Sequence, residues 1–274
     1  MNRLLALALT FGCVAAEEQE EGQFSLLTYN VAGLPEGISG SNPSVNTALI
    51  SPALNAYDLV VVQEDFAYHE ELASSAAHPF QSESKQPWER AVSDGLNRFS
   101  MWPFEPLQRQ QWEQCNGYLE GASDCLAEKG FSVGVTSLSD EVAIHVYNLH
   151  AEAGGGPEDI LARESNYVQL AAYIEEYSAD QPVIVAGDTN LHGWDEVDAA
   201  VLQTFMERVG LVDACEALQC GEYHIDRVLV RSSSSLVVQP RTWGVAEGFT
   251  DSGGEDLSDH PAIAVTLDWA VSDQ

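Results

Sequence analysis

A short apolar run that ends in polar residues is the clearest chemical signal in this sequence. Residues 183–187 are apolar or glycine and predict a buried strand, and Asp188, Thr189 and Asn190 follow directly. Because alternate side chains of an extended chain point to the same side, Asp188 and Asn190 are expected to face one way. A carboxylate accepts hydrogen bonds and an amide both donates and accepts, so the pair could hold a water and an oxyanion. The alternative interpretation is a strand followed by an Asx turn.

Two earlier strands end in the same manner. Residues 24–31 predict a strand with Asn30 at its tip, and residues 58–65 predict a buried strand that ends with Glu64. A carboxylate directly after an apolar run is rarely buried unless it is paired or binds a metal. Mg²⁺ suits such a position because it prefers one or two carboxylates together with waters. Asn30 alone could equally be a turn residue.

Histidines and carboxylates recur at later strand ends. His150 closes the alternating segment 141–150, where it could bind a phosphate oxygen or cap a loop. In the predicted strand 222–230, Asp226 could orient a histidine or form a salt bridge with Arg227. Asp259 and His260 precede Pro261, which restricts His260 to extended conformations before the closing strand 262–267.

The remaining pattern alternates helices with strands. Apolar periodicity predicts helices over residues 46–56, 67–77, 159–177 and 195–209, and a further strand over 132–138. Trp102 and Phe104 follow a predicted strand and turn and are assigned to core packing, with lipid contact as the alternative.

The charge of the chain is strongly acidic. Its 274 residues include 11 lysines and arginines against 43 aspartates and glutamates, a formal net charge of −32. This balance argues against tight non-specific nucleic-acid binding, which relies on basic side chains. A salt-rich habitat is one reason for such a charge. The length allows one or two domains, and the body of the chain has no apolar span long enough to cross a membrane.

The N-terminal segment has the features of an export signal. Arg3 is followed by a short apolar stretch, which predicts a signal peptide over residues 1–16 and an acidic, flexible leader over 17–23. Cleavage after Ala16 would release a secreted protein, whereas cleavage before Cys13 would give a membrane-tethered lipoprotein. We expect an exported protein in either case.

The other four cysteines fall into two local pairs. Cys115 lies near Cys125 in sequence, and Cys215 lies near Cys220. Two small disulfide loops are expected in an exported chain, although connectivity cannot be deduced from spacing, and four free thiols are the alternative. No Cys-x-x-Cys spacing indicates zinc.

Taken in order, the polar strand ends resemble a known superfamily. Tyr-Asn-Val at 29–31, Gln-Glu at 63–64, Asn-Leu-His at 148–150, Gly-Asp-Thr-Asn at 187–190, Ile-Asp-Arg at 225–227 and Ser-Asp-His-Pro at 258–261 are similar to motifs of the endonuclease/exonuclease/phosphatase superfamily. It includes pancreatic-type deoxyribonucleases, abasic-site nucleases, inositol-phosphate phosphatases and secreted sphingomyelinases. The resemblance implies a four-layer α/β sandwich, two packed mixed sheets flanked by helices, over residues 24–270.

The resemblance also implies a metal site. Glu64 looks like the principal Mg²⁺ ligand, with Asn30 beside it, and Mn²⁺, Co²⁺ or Ca²⁺ are alternative ions. Asp259 resembles a metal-side or orienting carboxylate. Asp188 looks like the residue that orients the attacking water, and Asn190 resembles a donor to the phosphate.

The histidines receive roles in the same way. His260 resembles the general base that takes the proton of the water, and Asp226 looks like its partner. His150 resembles a histidine that stabilises the phosphate. Mg²⁺ would supply positive charge where the phosphate oxygens become negative.

One branch of the superfamily is favoured. Residues 124–131, Asp-Cys-Leu-Ala-Glu-Lys-Gly-Phe, and Leu-His-Ala-Glu at 149–152 followed by Arg163 look like secreted sphingomyelinases. We therefore expect a monomeric Mg²⁺-dependent phosphodiesterase that acts on a phospholipid headgroup, with peripheral or lipid-anchored membrane association. The alternatives are a secreted DNase I-like endonuclease and a catalytically inactive binding module. Asp-Gly-Leu at 94–96 departs from the branch, and the sequence shows no long aromatic β-hairpin for membrane insertion.

Overall fold

The computed structural model describes residues 20–36, 42–87, 92–117, 124–221 and 224–272. Two six-stranded sheets pack face to face. In spatial order the first sheet contains β11 (Leu236–Val245), β12 (Ile263–Val271), β1 (Glu21–Asn30), β2 (Leu59–Gln63), β4 (Asn97–Ser100) and β3 (Phe80–Gln81). The second sheet contains β5 (Gln108–Gln111), β6 (Gly130–Ser137), β7 (Ala143–His150), β8 (Val183–Asp188), β10 (Asp226–Arg231) and β9 (Val212–Asp213).

Both sheets are mixed. The pairs β1–β2 and β7–β8 are parallel, and the other named pairs are antiparallel. The inner faces bury apolar side chains from both sheets, such as Leu26 and Val61 of the first and Val146 and Ile184 of the second. This shared core fixes the two sheets relative to each other, because interiors pack closely.

Helices cover the two outer faces. Against the first sheet lie α1 (Pro43–Ala53) and α2 (His69–Ala73), and against the second lie α3 (Pro157–Tyr177) and α4 (Glu196–Val209). A short helix, α5 (Ala214–Leu218), contacts β10 and β11. The predicted four-layer α/β sandwich is confirmed.

Local sequence explains where α4 begins and ends. The side chain of Asp195 caps its first turn by accepting hydrogen bonds from the amides of Val197 and Asp198, at 2.9 and 3.1 Å. Gly210 ends the helix with a φ of 71°, a left-handed conformation that glycine adopts without steric cost. The helix that starts just beyond Asp188 and Asn190 therefore has a fixed origin.

Several boundaries differ from the sequence prediction. The strand β1 begins at Glu21, inside the predicted leader, because Glu21 pairs with Ala270 of β12. The helix predicted over 67–77 is confined to α2. In the described part of the strand predicted over 222–230, the strand begins at Asp226, and residues 222 and 223 lie outside the described residues. The strand β11 was missed altogether. It contains Pro240 and Gly244, which weaken a strand signal, and it lies at the edge of its sheet.

The structure joins Cys115 to Cys125 and Cys215 to Cys220, so the expected local disulfide pairs are confirmed. The predicted signal peptide over 1–16, with Cys13, lies outside the described residues. Within the described ranges, no helix is both long and apolar enough to cross a membrane.

Candidate active site

The topology brings the polar strand ends to one end of the sandwich. The strands β1, β2, β7 and β8 finish there, whereas β10 and β12, which run antiparallel to their neighbours, begin there. An amide hydrogen bond of 3.1 Å from Asn30 of the first sheet to Asp188 of the second spans the gap between the sheets. Residues far apart in sequence therefore line one cleft.

Three of the predicted side chains lie in one row across neighbouring strands. His150 is the register partner of Asp188, and Asp188 is the register partner of Asp226. Each of the three is 1% exposed. Register partners project to the same side of a sheet. One imidazole and two carboxylates therefore sit side by side in the buried floor of the cleft.

Asn30 connects Glu64, the predicted metal ligand, with Asp188, the carboxylate predicted to orient the water. Its Nδ2 donates to Oε1 of Glu64 at 3.2 Å and to Oδ2 of Asp188 at 3.1 Å, while its Oδ1 accepts from the amide of Ala32. The contact with Ala32 fixes the orientation of the Asn30 amide. The result is a bridge that holds the two acidic groups on opposite sheets at a constant separation.

Glu64 occupies a strained position just beyond β2. Its φ of 56° lies in the left-handed region, which is uncommon for a non-glycine residue and often accompanies function. Its carbonyl accepts from the amide of Gly33 at 3.0 Å, and the next residue, Asp65, donates to the carbonyl of Gly95 at 3.1 Å. These backbone contacts hold the turn that directs the Glu64 carboxylate into the cleft.

His260 meets both carboxylates of the second sheet. Its Nδ1 lies 2.8 Å from Oδ2 of Asp226, and its Nε2 lies 3.7 Å from Oδ2 of Asp188. The amide of His260 donates to the hydroxyl of Ser258, which in turn donates to the carbonyl of Asn30 at 2.6 Å. The position of the imidazole is therefore fixed by one hydrogen bond of the ring and one of the His260 backbone.

The alternative interpretation of Asp226 is excluded by its neighbour. Arg227 pairs with Asp213, with Nη1 2.8 Å from Oδ2. Adjacent strand residues point to opposite faces, so Arg227 faces away from the cleft while Asp226 faces into it.

Burial and mutual charge shift the acidities of these groups. Burial raises the pKa of Glu64, and burial together with the charge of Asp226 raises the pKa of Asp188 to about 6. Burial lowers the pKa of His260, but its hydrogen bond to Asp226 and the nearby carboxylates outweigh this and raise it to about 9. Burial lowers the pKa of His150 well below its ordinary value. Without a metal, the site therefore contains a cationic His260 and a neutral His150.

His150 and Asn190 complete the cleft wall. The Nε2 of His150 lies 3.3 Å from Oδ2 of Asp188 and 4.0 Å from Oε1 of Glu64. Asn190, with a left-handed φ of 49°, donates from Nδ2 to the carbonyl of Ala151 at 3.1 Å. One of its two amide hydrogens is thereby used, and the other is available for a ligand.

Asp259 stands apart from this group. It is exposed, and its Oδ1 accepts a hydrogen bond from the hydroxyl of Ser258 at 3.4 Å. Its charge raises the pKa values of His260 and Glu64, so it acts on the cleft electrostatically. No direct contact between Asp259 and either residue supports its predicted role as a metal ligand.

Sequence reasoning missed a polar layer beneath the site. Gln63 of the first sheet donates to Oδ1 of Asn148 of the second at 2.7 Å, and Asn148 donates to the carbonyl of Val62 at 2.8 Å. These two side chains fasten the sheets together one layer below the catalytic floor. Their position before Glu64 and His150 was visible in the sequence, but their mutual contact was not.

Lys129 is a further residue at the rim of the cleft, and its charge acts on the carboxylates of the site. It forms an ion pair with Asp124, which also accepts from the amide of Ala153 at 3.0 Å, just beyond the end of β7. The charge of Lys129 lowers the pKa values of Glu64 and Asp188. The scarcity of lysine in the chain was the available signal.

The donor set of the cleft fits a divalent cation. Glu64 and Asp188 are held close by Asn30, and among the described residues no lysine or arginine forms an ion pair with either. One ligand atom from each of Asp188, Asp226 and His260 also lies within 4.8 Å of the others. Because Asp226 and His260 already bond to each other, the Glu64–Asp188 side is the better position for the ion.

Comparison with known proteins agrees with this geometry. A model described as the Endonuclease/Exonuclease/phosphatase family matches residues 27–260. The protein named sphingomyelinase in Mycobacterium tuberculosis is 36% identical over 266 residues, covering 88% of this chain and 52% of that protein. The chain therefore spans about half the length of the curated relatives it matches.

Solved structures share the fold. Sphingomyelinase C from Streptomyces griseocarneus superposes with a TM-score of 0.66 at 20% identity, covering 92% of this chain and 100% of that one. A beta toxin from Staphylococcus aureus with bound magnesium ions gives a TM-score of 0.65 at 16% identity, with 92% and 100% coverage.

Proposed function

We propose that this chain, which belongs to the endonuclease/exonuclease/phosphatase family, is a metal-dependent phosphodiesterase that cleaves the headgroup ester of a phospholipid. The observation that carries the proposal is the arrangement of His260, Asp226 and Asp188 opposite Glu64 in one cleft. A base, a water-orienting carboxylate and a metal ligand are the parts that such a hydrolysis needs.

Glu64 would hold the cation on the side of the cleft that faces Asp188, and Asn30 supports both carboxylates. Mg²⁺ suits their hard oxygen atoms, as would Mn²⁺, Co²⁺ or Ca²⁺. When bound, the ion supplies positive charge against the phosphate oxygens and favours the neutral form of His260. Asn30 and Asp259 stay predictions as direct ligands.

The residues of the chain then divide the work. Asp188 orients a water, and Nε2 of His260 accepts its proton as the water oxygen attacks phosphorus. Asp226 holds the ring through Nδ1 and stabilises the resulting imidazolium. Asn190 and His150 contact the phosphate oxygens. The bond from phosphorus to the lipid oxygen breaks, and the leaving oxygen takes a proton from solvent.

Charge and relatives both favour a lipid substrate. With a net charge of −32, the chain has little means to neutralise a polyphosphate backbone. The M. tuberculosis relative is named a sphingomyelinase. Sphingomyelin, whose headgroup is zwitterionic, is therefore the substrate we favour over DNA. The two disulfides support export, either as a secreted or as a lipid-anchored protein.

The test measures phosphocholine release from sphingomyelin micelles with Mg²⁺, in parallel with nicking of supercoiled plasmid. We expect lipid hydrolysis that EDTA abolishes, and little nicking. Glu64→Gln and His260→Ala should each be inactive yet folded, whereas Glu70→Gln, at an exposed position on α2, should be as active as the wild type. Full activity of His260→Ala would refute the mechanism, and plasmid nicking without lipid hydrolysis would favour the nuclease. Absence of both activities together with no Mg²⁺ binding would indicate an inactive binding module.

A further inference from the structure

Four large apolar side chains are exposed on α3 and at the beginning of α4. Leu161 and Val168 are each 61% exposed and lie seven residues apart on one face of α3. Val197, in the first turn of α4, is 43% exposed, and Trp194, just before that helix, is 73% exposed. We refer to these four residues as the α3–α4 patch. Such groups of exposed apolar side chains on a soluble fold often mark an interaction surface.

A groove continues the patch between the two helices. It has a volume of about 580 Å³, and Val168 and Val197 border it. Its floor includes Tyr167, Ala171 and Phe205. The helices thus offer an apolar depression as well as projecting side chains.

A buried ion pair fixes the patch relative to the catalytic cleft. Arg163 of α3 binds Asp198 of α4 at 2.9 Å and donates to the carbonyls of Glu152 and Gly154, in the loop that follows β7. Asp198 accepts from the amide of His192, two residues beyond the catalytic segment at the end of β8. The α3–α4 patch therefore has a fixed position relative to the catalytic cleft, and so does any surface that binds to it.

The charges around the patch are negative. Asp195 and Glu196 lie between Trp194 and Val197 in sequence, and Glu158 and Glu164 lie one helical turn from Leu161 on α3. The nearby arginines are already engaged, because Arg163 pairs with Asp198 and Arg208 pairs with Glu175. An anionic membrane and a second copy of this acidic chain would both be repelled.

We propose that the α3–α4 patch docks the protein on an electroneutral, zwitterionic lipid surface, where the outermost groups are choline cations. The acidic rim complements the choline layer, and the apolar side chains enter the interface below it. Tryptophan suits that depth, because its indole combines an apolar body with a polar N–H group. This inference rests on the proposed lipid substrate, since it places that substrate beside the cleft.

Near His260, Val245 is 49% exposed, but the aromatic side chains of the described residues there are packed inward. Phe249, in the loop between β11 and His260, is 6% exposed and packs edge-on against Tyr29 with ring centroids 4.8 Å apart. Trp102 likewise packs inward, against Phe24 and the core between the sheets. Among the aromatic residues of the described chain, Trp194 is the one that projects into solvent close to a strand end of the catalytic cleft.

The experiment measures flotation with phosphatidylcholine–sphingomyelin vesicles in EDTA, so that no hydrolysis occurs. Trp194→Ser and Val197→Ser are compared with the matched control Val212→Ser, which is 52% exposed and lies toward the other end of the sandwich, beside Val230 of β10. We expect Trp194→Ser to weaken vesicle binding about tenfold or more and Val197→Ser to weaken it severalfold. Val212→Ser should bind as the wild type does, and phosphatidylserine in the vesicles should reduce binding.

A soluble diester separates docking from catalysis. Hydrolysis of bis(p-nitrophenyl) phosphate with Mg²⁺ should be unchanged in all three variants. Vesicle binding that is equal in the wild type and Trp194→Ser would overturn the docking proposal, as would no vesicle binding by a wild type that cleaves the diester. If sedimentation shows that the wild type is a dimer and that Trp194→Ser is a monomer, the docking proposal is overturned. The α3–α4 patch would then contact a second copy of the chain. Vesicle binding that depends on Trp194 without diester cleavage would refute the proposed function and leave the docking surface intact.

Discussion

Nδ1 of His260, which lies just before β12 of the first sheet, is 2.8 Å from Oδ2 of Asp226 in the second sheet. Asp226 opens β10 of the second sheet, and His260 precedes β12 of the first. The hydrogen bond that sets the imidazole for proton transfer is therefore also a bond across the sandwich. The geometry of the base depends on how the two sheets pack.

Replacing the Asp226 carboxylate should change both the pKa of His260 and the rate of hydrolysis. In Asp226→Asn, the hydrogen bond is weakened and its charge is lost, so the pKa of His260 should fall from its raised value. We expect kcat to drop by about 10² to 10⁴. NMR titration of the imidazole and steady-state kinetics on a soluble diester check the two effects. An unchanged kcat would contradict the assigned role of Asp226.

Glu64 should dominate metal affinity. Glu64→Gln removes the negative charge of the proposed ligand and replaces one of its two oxygen atoms with an amide nitrogen, and no lysine or arginine among the described residues forms an ion pair with Glu64. Calorimetric titration should show Mg²⁺ binding weakened about 10-fold to 100-fold, since one charge-assisted ligand contributes strongly to binding. Glu70→Gln on α2 serves as the exposed control. Equal affinities for Mg²⁺ in the two variants would place the ion elsewhere.

The glycine that supports Glu64 offers a more indirect test. Gly95 has a φ of 63°, and a Cβ there would approach the Phe66 ring to 2.6 Å and Cα of Glu64 to 3.0 Å. Gly95→Ala should displace the Glu64 turn, weaken Mg²⁺ binding and lower the free energy of unfolding by about 1–3 kcal/mol. Gly254→Ala is the matched control, because its φ is 86° and no atom lies within 4 Å of the added Cβ. Calorimetry and thermal unfolding of both variants separate crowding from backbone strain.

The sequence predicted the contents of the site better than its geometry. Strand ends are recognisable because apolar runs stop at polar residues, and this signal singled out Asn30, Glu64, His150 and Asp188 as candidates. Register is a property of paired strands, so the row across β7, β8 and β10 could not be derived from one segment alone.

Asp259 stays a prediction as a metal-side or orienting carboxylate. It adjoins His260 in the sequence, but neighbouring residues need not point the same way, and it is exposed. The left-handed conformation of Glu64 could not be predicted either, because tertiary contacts impose it against the local preference of glutamate. Asn190 adopts the same region more readily, since asparagine is enriched there. The edge strand β11 was not predicted, because its proline and glycine weaken the strand signal in the sequence. Both residues are tolerated in the structure because β11 lies at a sheet edge.

The two disulfides should differ in their effect on activity. The backbone N–H of Asn116, beside Cys115, donates to Oε1 of Glu152 at 2.7 Å. Asp124, beside Cys125, forms an ion pair with Lys129. Replacing Cys115 and Cys125 by serine should therefore reduce kcat as well as stability. Replacing Cys215 and Cys220 should reduce stability alone, and each loss should be about 2–3 kcal/mol. Denaturant unfolding and diester kinetics on both double variants check the difference.

His260 should report metal binding through its acidity. In the metal-free protein its pKa is raised to about 9 by Asp226 and the surrounding carboxylates, although burial opposes the rise. The stabilisation that protonated His260 gives the metal-free fold is therefore full below about pH 6.5 and disappears as the pH rises through about 9. A divalent cation near Glu64 and Asp188 disfavours the imidazolium, so Mg²⁺ should lower the pKa of His260 toward neutrality. NMR titration of its Cε1–H signal with and without Mg²⁺ measures the shift, and Glu64→Gln should abolish it. A His260 pKa that is the same with and without saturating Mg²⁺ would show that the ion does not bind beside the base.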